Sequence, residues 1–188
     1  MVPMSLTKAQ QDRLLALARQ SIAHGLQTGR PLTVDLQDYP AELGQRRATF
    51  VTLERHGQLR GCIGMLEATR PLVEDVAENA FAAAFRDWRF PALTADELAD
   101  LALHISVLSP AEAMQFDSEQ TLIAQLRPGI DGVILQEGGR RGTFLPSVWA
   151  ELPDPGDFLR HLKQKTGLPA AYWSDNMQAY RYTTEMFG

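Results

Sequence analysis

Cys62 is the single thiol of this 188-residue chain, and it sits in the segment Arg60-Gly61-Cys62-Ile63-Gly64. Its glycine neighbours leave room for a ligand, or for another stretch of backbone, to come close. A guanidinium two residues away favours the thiolate, which is the nucleophilic form. On a regular strand Arg60 and Cys62 share one face, and Leu59, Gly61 and Ile63 share the other. Glycine amides add donors for an oxyanion. These are the parts of a covalent-catalysis site, with Cys62 as nucleophile and Arg60, Gly61 and Gly64 binding substrate. A base is the part not supplied: none of His24, His56, His104 and His161 is tied to Cys62 by spacing. The competing reading is a small buried residue in a tight hairpin, because free cysteine is among the most buried residue types.

Asp87 and Arg89 bracket Trp88 just before Phe90-Pro91. They would bind a charged ligand beside Arg60, or else form a local ion pair that fixes the loop with Phe90 as its anchor. Thr143 offers a hydroxyl to a ligand or to a cross-strand neighbour. Asp131-Gly132 reads as turn chemistry, and Gly138-Gly139-Arg140-Arg141-Gly142 as a phosphate loop or a basic hairpin tip. Trp88, Trp149 and Trp173 are too dispersed for a stacking platform and are expected to pack in the core or at its rim. Dispersed histidines and one cysteine give a zinc site no spacing support. No dinucleotide, Walker, nucleophile-elbow or zinc-protease motif is present. No metal or cofactor is expected.

The elements that must position these residues are readable from periodicity and punctuation. Thr7 and Gln10 form a capping box, after which Leu14, Leu15, Ala18, Ile22 and Leu26 make one apolar stripe of a helix. Gly25, Gly29 and Pro31 end it. Residues 48–55 are rich in β-formers, His56-Gly57 is a turn, and 58–66 is the returning strand. Pro71 opens a helix to about Arg86, with Glu74 and Asp75 in its first turn. Thr94 and Glu97 cap a short helix, and Leu101, Leu103, Ile105 and Val107 alternate as a strand stopped by Pro110. A short helix over 121–126, a hairpin over 132–136 and 140–145, a helical turn from Pro146, and a helix opened by Asp154-Pro155 follow. Residues 180–184 read as a last, edge strand. Hairpins interspersed with helices, without a βαβ rhythm, imply an α+β fold with a largely antiparallel sheet and flanking helices. One domain over 1–188 is expected.

The totals narrow the function classes. A net charge of −5 and only paired arginines disfavour nucleic acid as a partner. A lone cysteine suits a reducing compartment. No leader or spanning segment is legible, so a cytoplasmic protein without membrane contact is expected.

Leu59-Arg60-Gly61-Cys62-Ile63-Gly64 resembles the hallmark of the AMMECR-one family. So do Phe50-Val51-Thr52-Leu53, Asp87-Trp88-Arg89-Phe90-Pro91 with Leu93-Thr94, and Ile105 to Pro110. Gly129 to Leu135 and Gly142 to Pro146 with Trp149 fit as well, and the blocks run in order over about residues 48–173. The resemblance implies an α+β fold with a larger and a smaller subdomain, and no settled biochemical activity. It also implies an association with Memo-like and radical-SAM proteins, as in AmmeMemoRadiSam system protein A. His104 stands where the family more often has an acidic residue. Two functions follow as expectations. One is an enzyme or enzyme subunit using a cleft around Arg60 and Cys62; the other is a protein-binding module for a Memo-like or radical-SAM partner.

Overall fold

The computed structural model describes residues 5–188, and the chain divides into two compact units. The larger runs to Leu108 and takes back Glu185–Gly188; the smaller is Ser109–Thr184.

The larger unit begins with α1 (Lys8–Thr28), and the Thr7–Gln10 capping box is formed in both directions. Gly29, at φ 72°, closes the helix in the left-handed conformation that favours glycine. Gly25 does not end it. A Cβ there would lie 2.6 Å from the rings of both Phe81 and Phe85, so this glycine lets the next helix come close.

Strands β1 (Thr49–Arg55) and β2 (Gln58–Gly64) form the expected hairpin. Its turn residues, His56 and Gly57, both have positive φ, which matches the twist of a two-residue hairpin. Helix α2 (Leu72–Phe85) and strand β3 (Leu101–Leu108) follow, and β1 pairs antiparallel with β3 as well as β2. Alternation along β1 and β3 buries Val51, Leu53, Leu103, Ile105 and Val107 against α1 and α2, where Leu17, Ile22, Val73, Val76 and Ala80 meet them. Thr52, Glu54, His104 and Ser106 therefore point to the face away from both helices. A polar knot ties α2 to the start of β1: buried Asp75 accepts from the Thr49 amide (2.9 Å), the Thr49 hydroxyl (2.7 Å) and the Asn79 side-chain amide (3.0 Å).

The smaller unit contains β4 (Glu112–Ala113), α3 (Glu119–Gln125), β5 (Gly132–Glu137), β6 (Arg140–Phe144), α4 (Pro155–Lys165) and β7 (Gln178–Tyr182). Helix α3 starts earlier than expected, because Ser118 and Thr121 supply a capping box. The sheet order is β4-β7-β5-β6, so β7 is interior rather than an edge. The end of the chain turns out to be two strands: after β7, β8 (Thr184–Phe187) joins the other sheet in the order β2-β1-β3-β8. Thr183 separates them, too short a break to be seen in the sequence pattern. Trp149 is buried as expected and stacks on Phe158 with centroids 3.7 Å apart. Among the described residues, no helix is long and apolar enough to cross a membrane.

Candidate functional site

The register of the first hairpin decides where the motif's side chains go. Leu53 pairs with Gly61 but Glu54 pairs with Leu59, so Arg60 is an extra, unpaired residue. Such a bulge interrupts alternation and bends the strand. The Arg60 guanidinium donates to Glu97 Oε2 (Nε 3.1 Å) and to the Pro91 carbonyl (2.8 Å), and it is 8% exposed. Its buried Nη1 finds no hydrogen-bond partner among the described residues. Arg60 thus ties the edge strand to the segment that follows α2, and Glu97, from the Thr94 capping box, also faces Arg55 at 3.5 Å.

Cys62 pairs with Thr52 and shares its face, away from the helices. The half-buried Sγ lies 3.2 Å from Thr52 Oγ1. On its other side, the Cys62 amide donates to Asp87 Oδ2 at 3.0 Å, and its carbonyl accepts from Arg89 Nη2 at 3.4 Å. Asp87 in turn accepts from the Arg89 side chain at 3.0 and 2.7 Å and from its amide at 3.2 Å. The pair is therefore a clip across the free edge of β2, satisfying backbone groups an edge strand leaves open. Because the clip occupies the Cys62 amide, that amide is not available to an oxyanion.

Arg89's hydrogen bonds hold the Asp87 carboxyl well below the usual carboxylate range; burial opposes them, and the bond from the Cys62 amide adds to them. Arg89 is raised, first by Asp87, with a smaller contribution from the charge of Cys62. Arg89 is thus the arginine whose charge feels the thiol. A depressed carboxyl stabilises the fold above its unfolded pKa of about 4, and that contribution is lost as pH falls further. Wild-type stability should therefore fall more steeply below about pH 4 than that of Asp87→Asn, with no difference in slope between about pH 5 and 8. Urea midpoints measured across that range check it, and equal acid slopes would refute it.

Gly61 faces α2, where a Cβ would lie 2.1 Å from the Ala83 carbonyl oxygen. A Cβ on Gly64 would lie 2.3 Å from the Phe50 ring and 2.5 Å from the Thr49 carbonyl oxygen. Both glycines thus serve contacts within the fold. Thr143 belongs to the smaller unit, where its hydroxyl donates to the Val133 carbonyl (2.8 Å) and meets the Tyr182 hydroxyl (2.8 Å). Burial pushes the Tyr182 phenol up to about 12 against the opposing effect of the Thr143 bond. The structure brings Arg60, Gly61, Cys62, Gly64, Asp87 and Arg89 into one unit, and places Thr143 in the other.

Three residues near the thiol carry no site role in the sequence reading: Thr52, part of a strand block; Glu54; and His104, a histidine not tied to Cys62 by spacing. Thr52 pairs with Cys62 on one side and with His104 on the other. The three therefore form a row across adjacent strands, which places the outer two backbones about 10 Å apart. His104 Nε2 lies 3.6 Å from Glu54 Oε2. Trp88, expected to pack, is 91% exposed between the two residues of the clip. Two surface hollows, of about 180 and 250 Å³, are lined by other segments and contain none of these residues. Among the described residues, no group of three or more His, Cys, Asp or Glu is placed to hold a metal ion.

The family model described as AMMECR1 matches residues 15–187. A protein of Methanothermobacter thermautotrophicus is 36% identical over 184 residues, covering 97% of this chain and 95% of the relative. One of Thermotoga maritima is 40% identical over 154 residues, covering 80% and 83%. The crystal structure of an uncharacterized Pyrococcus horikoshii protein superposes with a TM-score of 0.85 at 34% identity, covering 93% of this chain and 88% of that one.

Proposed function

This chain belongs to the AMMECR1 family, and from the geometry around its single thiol we propose that it acts as an enzyme, or as a subunit of one, whose reacting group is Cys62. The observation that carries this reading is the contact between Cys62 Sγ and Thr52 Oγ1 at 3.2 Å, in line with His104 on the next strand. The hydroxyl lies against the sulfur, and His104, next in the row and 3.6 Å from Glu54, is the candidate base, reached through Thr52. Arg89, which donates to the Cys62 carbonyl at 3.4 Å, places a positive charge against the same residue. Substrate is a small polar electrophile laid on the sheet face that Cys62 and Thr52 share.

Alkylation by iodoacetamide tests the reading cleanly, since the chain has one thiol. Wild type should react faster than an unstructured cysteine peptide near neutral pH. Thr52→Val, His104→Ala and Arg89→Ala should each slow the reaction by about threefold or more. A rate equal to the peptide's and indifferent to all three changes would sink the proposal.

One observation favours a second reading, a docking module for a Memo-like or radical-SAM protein. Trp88, in the segment after α2, is 91% exposed, the kind of aromatic anchor that binding sites use, and Leu59 on β2 is 44% exposed. On this reading Cys62→Ala keeps partner binding while Trp88→Ala loses it. A pull-down that retains neither partner class at micromolar concentration removes it.

A further inference from the structure

The smaller unit holds a hollow of about 250 Å³ lined by Phe116, Asp117, Trp173, Ser174, Asp175 and Met177. We infer that it is a binding site for an organic ammonium cation, with a chemistry separate from that of the Cys62 thiol. Phe116 and Trp173 meet edge to face, with centroids 5.7 Å apart and planes at 60°, and both rest on the unit's hydrophobic core. Met177, 5% exposed, lines it as well. An aromatic ring attracts a cation through its quadrupole, and both rings border this hollow.

The rim selects the sign of the charge. Asp117 uses Oδ1 to accept from the Thr121 hydroxyl at 3.0 Å, which orients the carboxylate. Asp117 and Asp175 are exposed at the mouth of the hollow, and no cationic side chain lines it. An anion would meet two carboxylates, and a purely apolar guest would make no use of them. A quaternary or primary ammonium satisfies both the rings and the rim.

The two walls come from different loops, yet a buried residue holds them in place. Lys163, 1% exposed, donates to Glu119 Oε1 at 2.7 Å and to the Tyr172 carbonyl at 3.2 Å. Glu119 lies two residues after Asp117, and Tyr172 precedes Trp173. Ser174 is pinned through its hydroxyl to Glu137 Oε2 at 2.8 Å, and so to the end of β5. A site fixed in advance does not spend binding free energy on ordering its own loops.

The test titrates the full chain with choline while following the indole N–H resonances of Trp88, Trp149 and Trp173. Only Trp173 should shift, saturably, with a dissociation constant on the order of millimolar. The neutral isostere 3,3-dimethylbutanol should bind about fivefold more weakly or worse. Asp117→Asn combined with Asp175→Asn should weaken choline by about tenfold while the buried Trp149 resonance stays in place, reporting an intact fold. A trimethyllysine peptide that binds more tightly than choline would mark a protein side chain as the natural guest; equal binding would mark a free small amine. Equal binding of choline and its neutral isostere, or no saturable shift of Trp173, overturns the inference.

Discussion

Replacing Asp75 by alanine should lower the stability of the larger unit by about 3–5 kcal/mol, the cost of breaking a buried charged network from one side. Asp75 is fully buried, and its two oxygens serve different partners. Oδ2 takes the Thr49 amide, the Thr49 hydroxyl and the Asn79 amide, while Oδ1 takes Arg70 Nε at 2.9 Å and Nη2 at 2.7 Å. Arg70, partly exposed, turns to water when the carboxylate is gone, which limits the loss. The Thr49 amide has no such escape. It sits at the buried start of β1, and an unsatisfied buried donor carries its full desolvation penalty. Asp75 also lies in the first turn of α2, where a negative charge is favoured by the helix dipole. Asp75→Asn keeps the shape and loses the charge, so it should fall between wild type and alanine. Urea unfolding measures both, and a loss below about 1 kcal/mol for alanine would show that the knot does not hold β1 to α2.

How much of this was legible beforehand differs by residue, and the reasons are physical. Local signals were reliable: the Thr7 and Thr94 capping boxes, the His56-Gly57 turn and the alternation of β3 depend on neighbours in sequence. The fold class followed from them. Gly25 misled because a helix-ending glycine and a close-packing glycine look alike until the rings of Phe81 and Phe85 are in place. The bulge at Arg60 mattered most. With an unbroken register from Arg55 opposite Gln58, Thr52 would face Gly61 and the thiol would have a different neighbour. One extra residue moves Cys62 opposite Thr52, and hence into line with His104. Nothing in the composition of residues 49–64 announces that bulge; it depends on Arg60 finding Glu97 and the Pro91 carbonyl, far along the chain. Trp88 failed for a related reason, since its exposure is set by Asp87 and Arg89 folding towards Cys62 and leaving the residue between them outside.

Gly61→Ala should be the most damaging single change within the motif, costing about 3 kcal/mol, the upper end of what overpacking does. The added methyl would lie 2.1 Å from the Ala83 carbonyl oxygen and 3.0 Å from its carbon, both backbone atoms of α2. Neither can rotate away, so the helix or the edge strand has to retreat. Retreat of the strand would in turn loosen the Asp87 bond to the Cys62 amide. Gly64→Ala is milder because its closest contact, the Phe50 ring, is a side chain, although the Thr49 oxygen at 2.5 Å still resists. Cys62→Ala removes a half-buried thiol from the opposite face and should cost about 1 kcal/mol. This ordering separates the two kinds of residue in the motif. The glycines are where they are because α2 and β1 lie against them, whereas the thiol faces the other way, toward Thr52. Thermal unfolding of the three variants gives the ranking directly; a Gly61→Ala protein as stable as wild type would mean that α2 does not press on the strand, and the placement of Cys62 would lose its cause.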